Sequence, residues 1–76
     1  MKNATFRQLR VFSEAARHQS FAEAARALHL TPPAVSMQMK ELESQVGLPL
    51  FERHGRQVQL TTAGEYVLVY ARRILA

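Results

Sequence analysis

Thr31-Pro32-Pro33-Ala34-Val35-Ser36 is the stretch that decides the fold of this 76-residue chain. It follows an alanine-rich segment, residues 21–28, after only His29 and Leu30. The hydroxyl of Thr31 can cap a helix, and Pro32 suits the first helical position, where a backbone N–H has no intrahelical partner. The stretch therefore predicts a helix, a tight turn and a second helix that begins at Pro32.

The helix that begins at Pro32 has one apolar and one mostly polar face. It is expected to run to about Val46, because Gly47 is a favoured residue at a helix C-terminus. Apolar residues recur at steps of four, three and four, which predicts a core-facing stripe of Val35, Met39, Leu42 and Val46. The opposite face, free to meet a partner, carries Pro33, Met37, Lys40 and Ser44, with Ser36 and Glu41 beside it.

Two further helices precede this one. Capping-box spacing predicts that they begin at Thr5, with Gln8, and at Ser20, with Glu23. The first is expected to end at His18-Gln19. Its apolar residues recur at three- and four-residue steps, which predicts a core-facing stripe of Phe6, Leu9, Phe12 and Ala16. The second is short and rich in alanine, so another helix can approach it closely through Phe21, Ala24, Ala25 and Leu28.

A change of period after Gly47 predicts a β-hairpin. Residues 48–53 indicate a turn into a short strand, and His54-Gly55-Arg56 a turn in which Gly55 can adopt positive φ. Residues 57–60 alternate polar and apolar, as in a half-buried strand. A hairpin over residues 50–60 behind three helices is the wing of a winged helix-turn-helix domain.

The last helix is expected over residues 62–76, with Thr62 and Glu65 as a third capping box. It is apolar nearly all round, whereas a monomer's surface helix has one apolar face. We expect it to cover the domain's own core with Ala63, Val67, Tyr70 and Ile74. The residues left exposed, which imply burial by a second copy or by another domain, are Tyr66, Leu68, Val69 and Leu75. Alternatively, it is a terminal helix with a few scattered exposed apolar residues.

Composition limits the classes of protein to which the chain can belong. Its net charge of +4 is typical of a polyanion-binding protein, although a merely basic domain would show the same value. A hydrophobic content of 47% argues against disorder. No apolar run is long enough to cross a bilayer, and no signal peptide is recognisable. With no cysteine, disulfides and thiolate metal sites are excluded, which fits a reducing cytoplasm.

The sequence predicts neither an enzyme nor a metal or cofactor site. His18, His29 and His54 are spaced too irregularly for a local metal site, and no serine–histidine–acid set is recognisable. The three glycines are scattered, so a phosphate-binding glycine loop is also absent.

Several stretches, in order along the chain and without gaps, point to a known family. They are Phe6-Arg7-Gln8-Leu9, Ser20-Phe21 with Ala24-Ala25, Leu28 to Ser36, Leu42-Glu43, Gly47 to Arg53, and Leu60 to Gly64. Together they resemble the N-terminal DNA-binding domain of LysR-type transcriptional regulators. The wording Leu-Thr-Pro-Pro-Ala-Val-Ser also resembles the subgroup that regulates carbon dioxide fixation operons.

The resemblance implies a mainly α fold with a defined division of the chain. Residues 1–61 would form a winged helix-turn-helix, a three-helix core plus a two-stranded wing, with the helix-turn-helix over 21–40 and the wing over 50–60. Residues 62–76 would form a linker and dimerisation helix that makes a homodimer. A C-terminal effector-binding domain, absent from this chain, would bind a small molecule, and the full-length protein would be a higher homo-oligomer.

The resemblance also implies that the helix over residues 32–46 enters a major groove of double-stranded DNA. Thr31 replaces the family's serine and keeps a hydroxyl for a phosphate. Pro32 replaces a glutamine that often reads base edges, and Met37 stands where many members have arginine. Together with Pro33, these departures leave an apolar reading face, which favours recognition of thymine methyl groups and DNA shape.

The polar contacts expected with DNA come from all parts of the domain. Ser36 and Lys40 are expected to reach base edges or phosphates, and Arg53 matches the family arginine at the minor groove. Ser20 lies at a helix N-terminus whose N–H groups can bind a phosphate. Three further residues have alternatives: Gln38 contacts the DNA backbone or is solvated, Arg56 contacts a phosphate or is solvated, and Arg26 approaches a phosphate or pairs with Glu23.

Two other functions fit parts of the pattern. A winged-helix module used only for protein contacts would show no salt-dependent affinity for DNA. A membrane-surface role for the last helix is disfavoured, because that helix lacks the lysine-rich polar face that such helices use.

Overall fold

A computed structural model describes residues 4–76 of the chain; residues 1–3, the predicted beginning of the domain, lie outside the described residues. Within them the fold is mainly helical. The elements are, in order, α1 (Phe6–His18), α2 (Phe21–Leu28), α3 (Pro32–Val46), β1 (Phe51–His54), β2 (Gln57–Leu60) and α4 (Thr62–Leu75). Strands β1 and β2 pair antiparallel. This is the predicted winged helix-turn-helix with an additional C-terminal helix.

Hydroxyl side chains set the N-terminus of every helix described. The N–H groups of Gln8, Glu23, Ala34 and Gly64 donate to the hydroxyls of Thr5, Ser20, Thr31 and Thr61 at 3.0 to 3.2 Å. At Thr5 the full capping box is present, since Gln8 Oε1 also accepts from the Thr5 N–H at 3.1 Å. The N-termini of α1, α2 and α3 lie where the capping residues predicted them.

The predicted cap of α4 was wrong by one residue. Thr61, not Thr62, is the N-cap, and Thr62 is the first helical residue. Thr61 is fixed in that position from two sides. Its N–H donates to the Leu50 carbonyl at 3.0 Å and its hydroxyl donates to the Pro49 carbonyl at 2.7 Å.

The core lies between α1 and the other helices. The largest fully buried side chains are Phe12, Met39, Leu42, Leu50, Val35 and Val58. The stripe predicted for α3 is confirmed, with Val46 half-buried at its end. The stripe predicted for α1 was partly wrong: Phe6 is exposed and Ala16 is half-buried, whereas the buried face is Gln8, Leu9, Val11, Phe12 and Ala15. The first helical residue points to solvent because Gln8, held in the capping box, occupies the inward position.

Helix α4 is rotated relative to the prediction. Its buried residues are Gly64, Val67 and Ala71, with Leu68 and Leu75 half-buried against the core. Of the four residues predicted to face inward, Val67 is buried and Ala63 is half-buried, whereas Tyr70 and Ile74 are 46% and 42% exposed. The small side chains at 64 and 71 explain this register, because they allow the helix to approach the rest of the domain closely.

Left-handed residues make the helix connections short. Gln19, His29 and Gly47 follow α1, α2 and α3 with φ of 54°, 59° and 86°. In the α2–α3 turn, the N–H groups of His29 and Leu30 donate back to the last carbonyls of α2 at 3.3 and 2.8 Å. The Val58 N–H donates to the Gln19 carbonyl at 3.0 Å, which ties β2 to the start of α2.

Candidate nucleic-acid interface

The N-terminal ends of α2 and α3 and the β-hairpin enclose a shallow depression of about 350 Å³. It is lined by Ser20, Phe21, Ala22, Pro32, Pro33, Ser36, Arg53, Arg56 and Val58. Six of the residues predicted to contact DNA are therefore brought together: Ser20, Pro32, Pro33, Ser36, Arg53 and Arg56. They come from three separate elements, and the turns around Gln19 and His29 bring these elements together.

A second, smaller depression of about 160 Å³ extends this surface along α3. Ser36 and Arg53 line both depressions, and Lys40 lines the second. Lys40 is exposed and one turn beyond Ser36, so its ammonium can follow a ligand that lies against the α3 N-terminus. The two depressions, with these lining residues, are called the reading surface below.

Three of the predicted contact residues, one at the N-cap of α3 and two on the helix, lie outside these depressions. Thr31 is exposed, and its oxygen accepts from Ala34 while its O–H remains able to donate. Met37 is 58% exposed, which is high for a large apolar side chain. Gln38 is half-buried on the flank of the helix. Thr31 and Met37 are thus accessible from solvent, and Gln38 is accessible only in part.

The hairpin has an inner and an outer face. Phe51 pairs with Leu60 and Arg53 with Val58, so these four residues share one side of the ribbon. On the other side are Glu52, His54, Gln57 and Gln59, all exposed. Arg53 is therefore a charged residue on the face that packs against the helices. Its guanidinium carbon lies 5.5 Å from the centre of the Phe21 ring.

Two residues of this region were missed as functional by sequence reasoning. Phe21 was predicted only as core, yet it is half-buried and lines both depressions. Glu43 was noted only within a family motif, yet its Oε2 accepts from the N–H groups of Leu50 at 2.7 Å and Phe51 at 3.4 Å. This carboxylate fixes the segment that enters the hairpin to α3. The alternation of side chains along a strand could be read from the sequence. The hydrogen bond between Glu43 and the Leu50 N–H could not, because it joins α3 to the segment that precedes β1.

Some of the other charged groups pair at the surface. Arg26 Nε lies 3.8 Å from Glu23 Oε1, so the pairing alternative for Arg26 is realised, although both side chains are more than half exposed. Such pairs contribute little to stability. Across residues 4–76, no group of three histidine, cysteine or acidic side chains could hold a metal ion. Nor does any helix in this part of the chain have the length and apolarity to span a membrane.

The exposed side of α4 carries a continuous apolar stripe at three- and four-residue steps. Tyr66, Val69, Tyr70 and Ile74 make up this α4 stripe, and Tyr66 is the most exposed of them at 75%. Of the residues predicted for dimerisation, Tyr66 and Val69 are in the stripe, whereas Leu68 and Leu75 pack against the domain's own core. Beside Tyr66 an apolar depression of about 500 Å³ is lined partly by Leu48 and Pro49.

Residues 6–65 match the family model for the bacterial regulatory helix-turn-helix protein, lysR family. The chain belongs to this lysR family. The resemblance found in the sequence is thereby confirmed, and the match extends from α1 through the hairpin to the first turn of α4. Among curated relatives, the RuBisCO operon transcriptional regulator of Allochromatium vinosum is 56% identical over 72 residues, 95% of this chain and 24% of that protein.

Other lysR-type relatives agree with this assignment. The HTH-type transcriptional regulator CfxR of Cupriavidus necator is 55% identical over 75 residues, 99% of this chain and 24% of that protein. The chain thus spans about a quarter of the length of these relatives. Among solved structures, the CbnR_DBD-DNA complex has a TM-score of 0.90 at 44% identity, covering 93% of this chain and 82% of that chain. The BenM_DBD/catB site 1 DNA complex has a TM-score of 0.88 at 37% identity, with coverages of 93% and 79%.

Proposed function

We propose that this chain is the DNA-binding domain of a lysR-family transcriptional regulator and that it recognises a specific sequence in double-stranded DNA. The observation that carries the proposal is the reading surface. There the N-termini of two helices, a hairpin arginine and small or apolar side chains of α3 converge on one concave face. The likeness to structures of lysR-type domains bound to DNA supports the same function.

Each predicted contact residue, on the reading surface or beside it, has a role in the proposed complex. The N-terminal half of α3 enters the major groove, where Pro32, Pro33 and Met37 contact methyl groups and Ser36 and Lys40 bind base edges or phosphates. Ser20 and Thr31 mark helix N-termini, whose N–H groups and positive dipole ends favour phosphate. Arg53 is directed at the minor groove. Arg56 at the hairpin turn and Gln38 on the flank of α3 contact the DNA backbone.

Removing the Lys40 or Ser36 side chain is expected to weaken DNA binding without unfolding the domain. Lys40 lies opposite the buried stripe of α3 and Ser36 lies beside that opposite face, so neither Lys40→Ala nor Ser36→Ala removes a residue of the buried stripe. We expect losses of affinity of about tenfold and fivefold, the effect of one lost polar contact. A fluorescence-anisotropy titration measures them, on a duplex obtained by selecting random DNA with the wild-type domain. The salt dependence should also weaken for Lys40→Ala.

A charge-matched control separates local contact from overall charge. Arg72→Ala removes one positive charge from α4, away from the reading surface, and should change affinity less than twofold. Equal losses for Lys40→Ala and Arg72→Ala would mean that only net charge attracts the DNA. Unchanged affinity in both Lys40→Ala and Ser36→Ala would contradict the placement of α3 in the groove.

The α4 stripe is the proposed homodimer contact. Val69 and Tyr70 are exposed on it, and burying such apolar surface favours association. We expect Val69→Glu to weaken self-association at least tenfold in sedimentation equilibrium, because two like charges would meet in an apolar contact. Gln59→Glu, which adds the same charge on the outer face of the hairpin, should leave association unchanged. A wild-type domain that stays monomeric, and binds DNA as one copy, would overturn the dimer.

The rest of the proposal concerns the whole regulator. By analogy with the RuBisCO operon relatives, its target is a promoter of carbon dioxide fixation genes, and it acts in the cytoplasm, where bacterial DNA lies. It is not an enzyme and needs no cofactor at this surface; a small-molecule effector would act through a separate C-terminal domain. Selection of bound sequences from random DNA tests the target. A palindromic consensus would support two domains related by a twofold axis.

A further inference from the structure

We propose that Phe21 is a positioning residue for DNA binding, and that its ring holds the Arg53 guanidinium in the orientation in which it meets DNA. The inference rests on the proposed function, since Arg53 is the hairpin arginine directed at the DNA. It adds to that function a residue that need not touch the DNA itself. It also predicts a measurable energetic coupling between α2 and the hairpin.

The geometry brings the two side chains together from separate elements. Arg53 lies on the inner face of β1, opposite the buried Val58, so its side chain leaves the strand toward α2. There its guanidinium carbon is 5.5 Å from the centre of the Phe21 ring, within the range of about 6 Å for attraction between a cation and the face of a ring. An arginine on the outer face, beside Glu52 and His54, would have no such support.

The Phe21 ring is itself held in place by other rings. It packs edge-on against Phe51, with ring centres 5.3 Å apart and planes at 85°. Phe51 in turn contacts Phe12 at 5.3 Å, and Phe12 is fully buried. Aromatic pairs at these separations are mutually attractive. The ring under Arg53 is therefore connected to the centre of the core.

Holding the guanidinium before DNA arrives favours binding in two ways. A free arginine side chain loses rotamer freedom when it binds, and a side chain that is already oriented loses less. A contact through the face of a ring uses none of the guanidinium N–H groups, so all of them remain available to DNA. Phe21 thus raises affinity through Arg53, and its effect should vanish when Arg53 is absent.

A double-mutant cycle tests this dependence. Phe21→Leu keeps apolar bulk but removes the ring, and Arg53→Met keeps length but removes the charge. Binding of wild type, both single variants and the double variant is titrated on the duplex selected from random DNA. We expect Phe21→Leu to lower DNA affinity by about two- to fivefold more in the wild-type background than in the Arg53→Met background. This is the expected contribution of a partly exposed contact between a cation and a ring. Phe21→Tyr, which keeps the ring, should restore most of the loss.

The matched control uses the other hairpin arginine. Arg56 lines the same depression from the turn, so the effects of Phe21→Leu and Arg56→Met should multiply without coupling. In the free protein, ring currents should shift the Arg53 side-chain protons upfield in NMR spectra. That shift should be present in wild type and Phe21→Tyr and lost in Phe21→Leu.

The outcomes separate this inference from the proposed function. If the wild type binds the selected duplex but Phe21→Leu costs the same with and without Arg53, Phe21 is only a packing residue and the inference fails. The same holds if the Arg53 protons are unshifted in the wild type. If no duplex is selected and the wild type binds none, the proposed function fails, and the inference with it.

Discussion

Replacing Gly64 with alanine is expected to lower the free energy of unfolding by about 3 kcal/mol. In most helices this substitution is stabilising, because glycine is a poor helix former. Here the sign reverses. A Cβ added at position 64 would collide with the Leu50 carbonyl oxygen and lie 2.9 Å from Leu60 Cδ2. Backbone cannot move aside as a flexible side chain does, so α4 or the segment around Leu50 must shift.

Thermal unfolding followed by circular dichroism measures the effect. For a domain of this size, about 3 kcal/mol corresponds to a decrease in Tm of roughly 12–24 °C. Gly55→Ala is the comparison, since φ is +66° there but no atom lies within 4 Å of the added Cβ. It should cost only about 1 kcal/mol, the penalty for left-handed backbone. A Gly64→Ala variant as stable as the wild type would show that α4 does not pack this closely on the hairpin.

Replacing Glu43 with alanine is expected to destabilise the domain by about 2–3 kcal/mol, because it removes a charged acceptor from the Leu50 N–H. Leu50 is fully buried, so this N–H would have no access to water. The hairpin that carries Arg53 begins at the next residue, Phe51. The Phe51 N–H also donates to Glu43 Oε2. We therefore expect DNA affinity to fall at least fivefold even at temperatures where Glu43→Ala remains folded.

The same helix supplies the control for Glu43. Glu41 is exposed on α3, and Glu41→Ala removes the same charge at the cost of about 0.5 kcal/mol or less. Chemical unfolding and titration of the selected duplex are compared for the two variants. Equal stability of Glu41→Ala and Glu43→Ala would contradict the bond between Glu43 and Leu50. Loss of stability with full DNA affinity would instead show that hairpin position does not govern binding.

Local signals in the sequence were sufficient to predict the elements of this fold. Hydroxyl caps, Gly47 at the end of α3 and the alternation before Leu60 each depend on neighbouring residues, so they could be read one segment at a time. The rotation of a helix about its axis could not be read in this way. Helix α4 is apolar on most sides, and its register is decided by where Gly64 can approach the Leu50 carbonyl. That approach joins positions far apart in sequence.

The reading surface was predictable to a similar degree. Resemblance to a family identified its residues from three elements, and the structure brings six of them into one depression. The supports of that surface were not predictable, because they depend on tertiary distances. Phe21 under Arg53 and Glu43 beneath the hairpin are a ring and a carboxylate whose partners lie far along the chain.

The peptide groups around Leu50 join three parts of the molecule at one point. The Leu50 N–H is bound by Glu43 of α3, its carbonyl accepts from Thr61 at the cap of α4, and β1 begins at the following residue. These bonds couple the positions of α3 and the hairpin to the position of α4. In the proposed homodimer, a signal arriving through α4 would then move each domain as one unit and change the distance and angle between the two α3 helices. In that proposed dimer, regulation would consist in matching the distance between the two α3 helices to the spacing of the half-sites along the DNA.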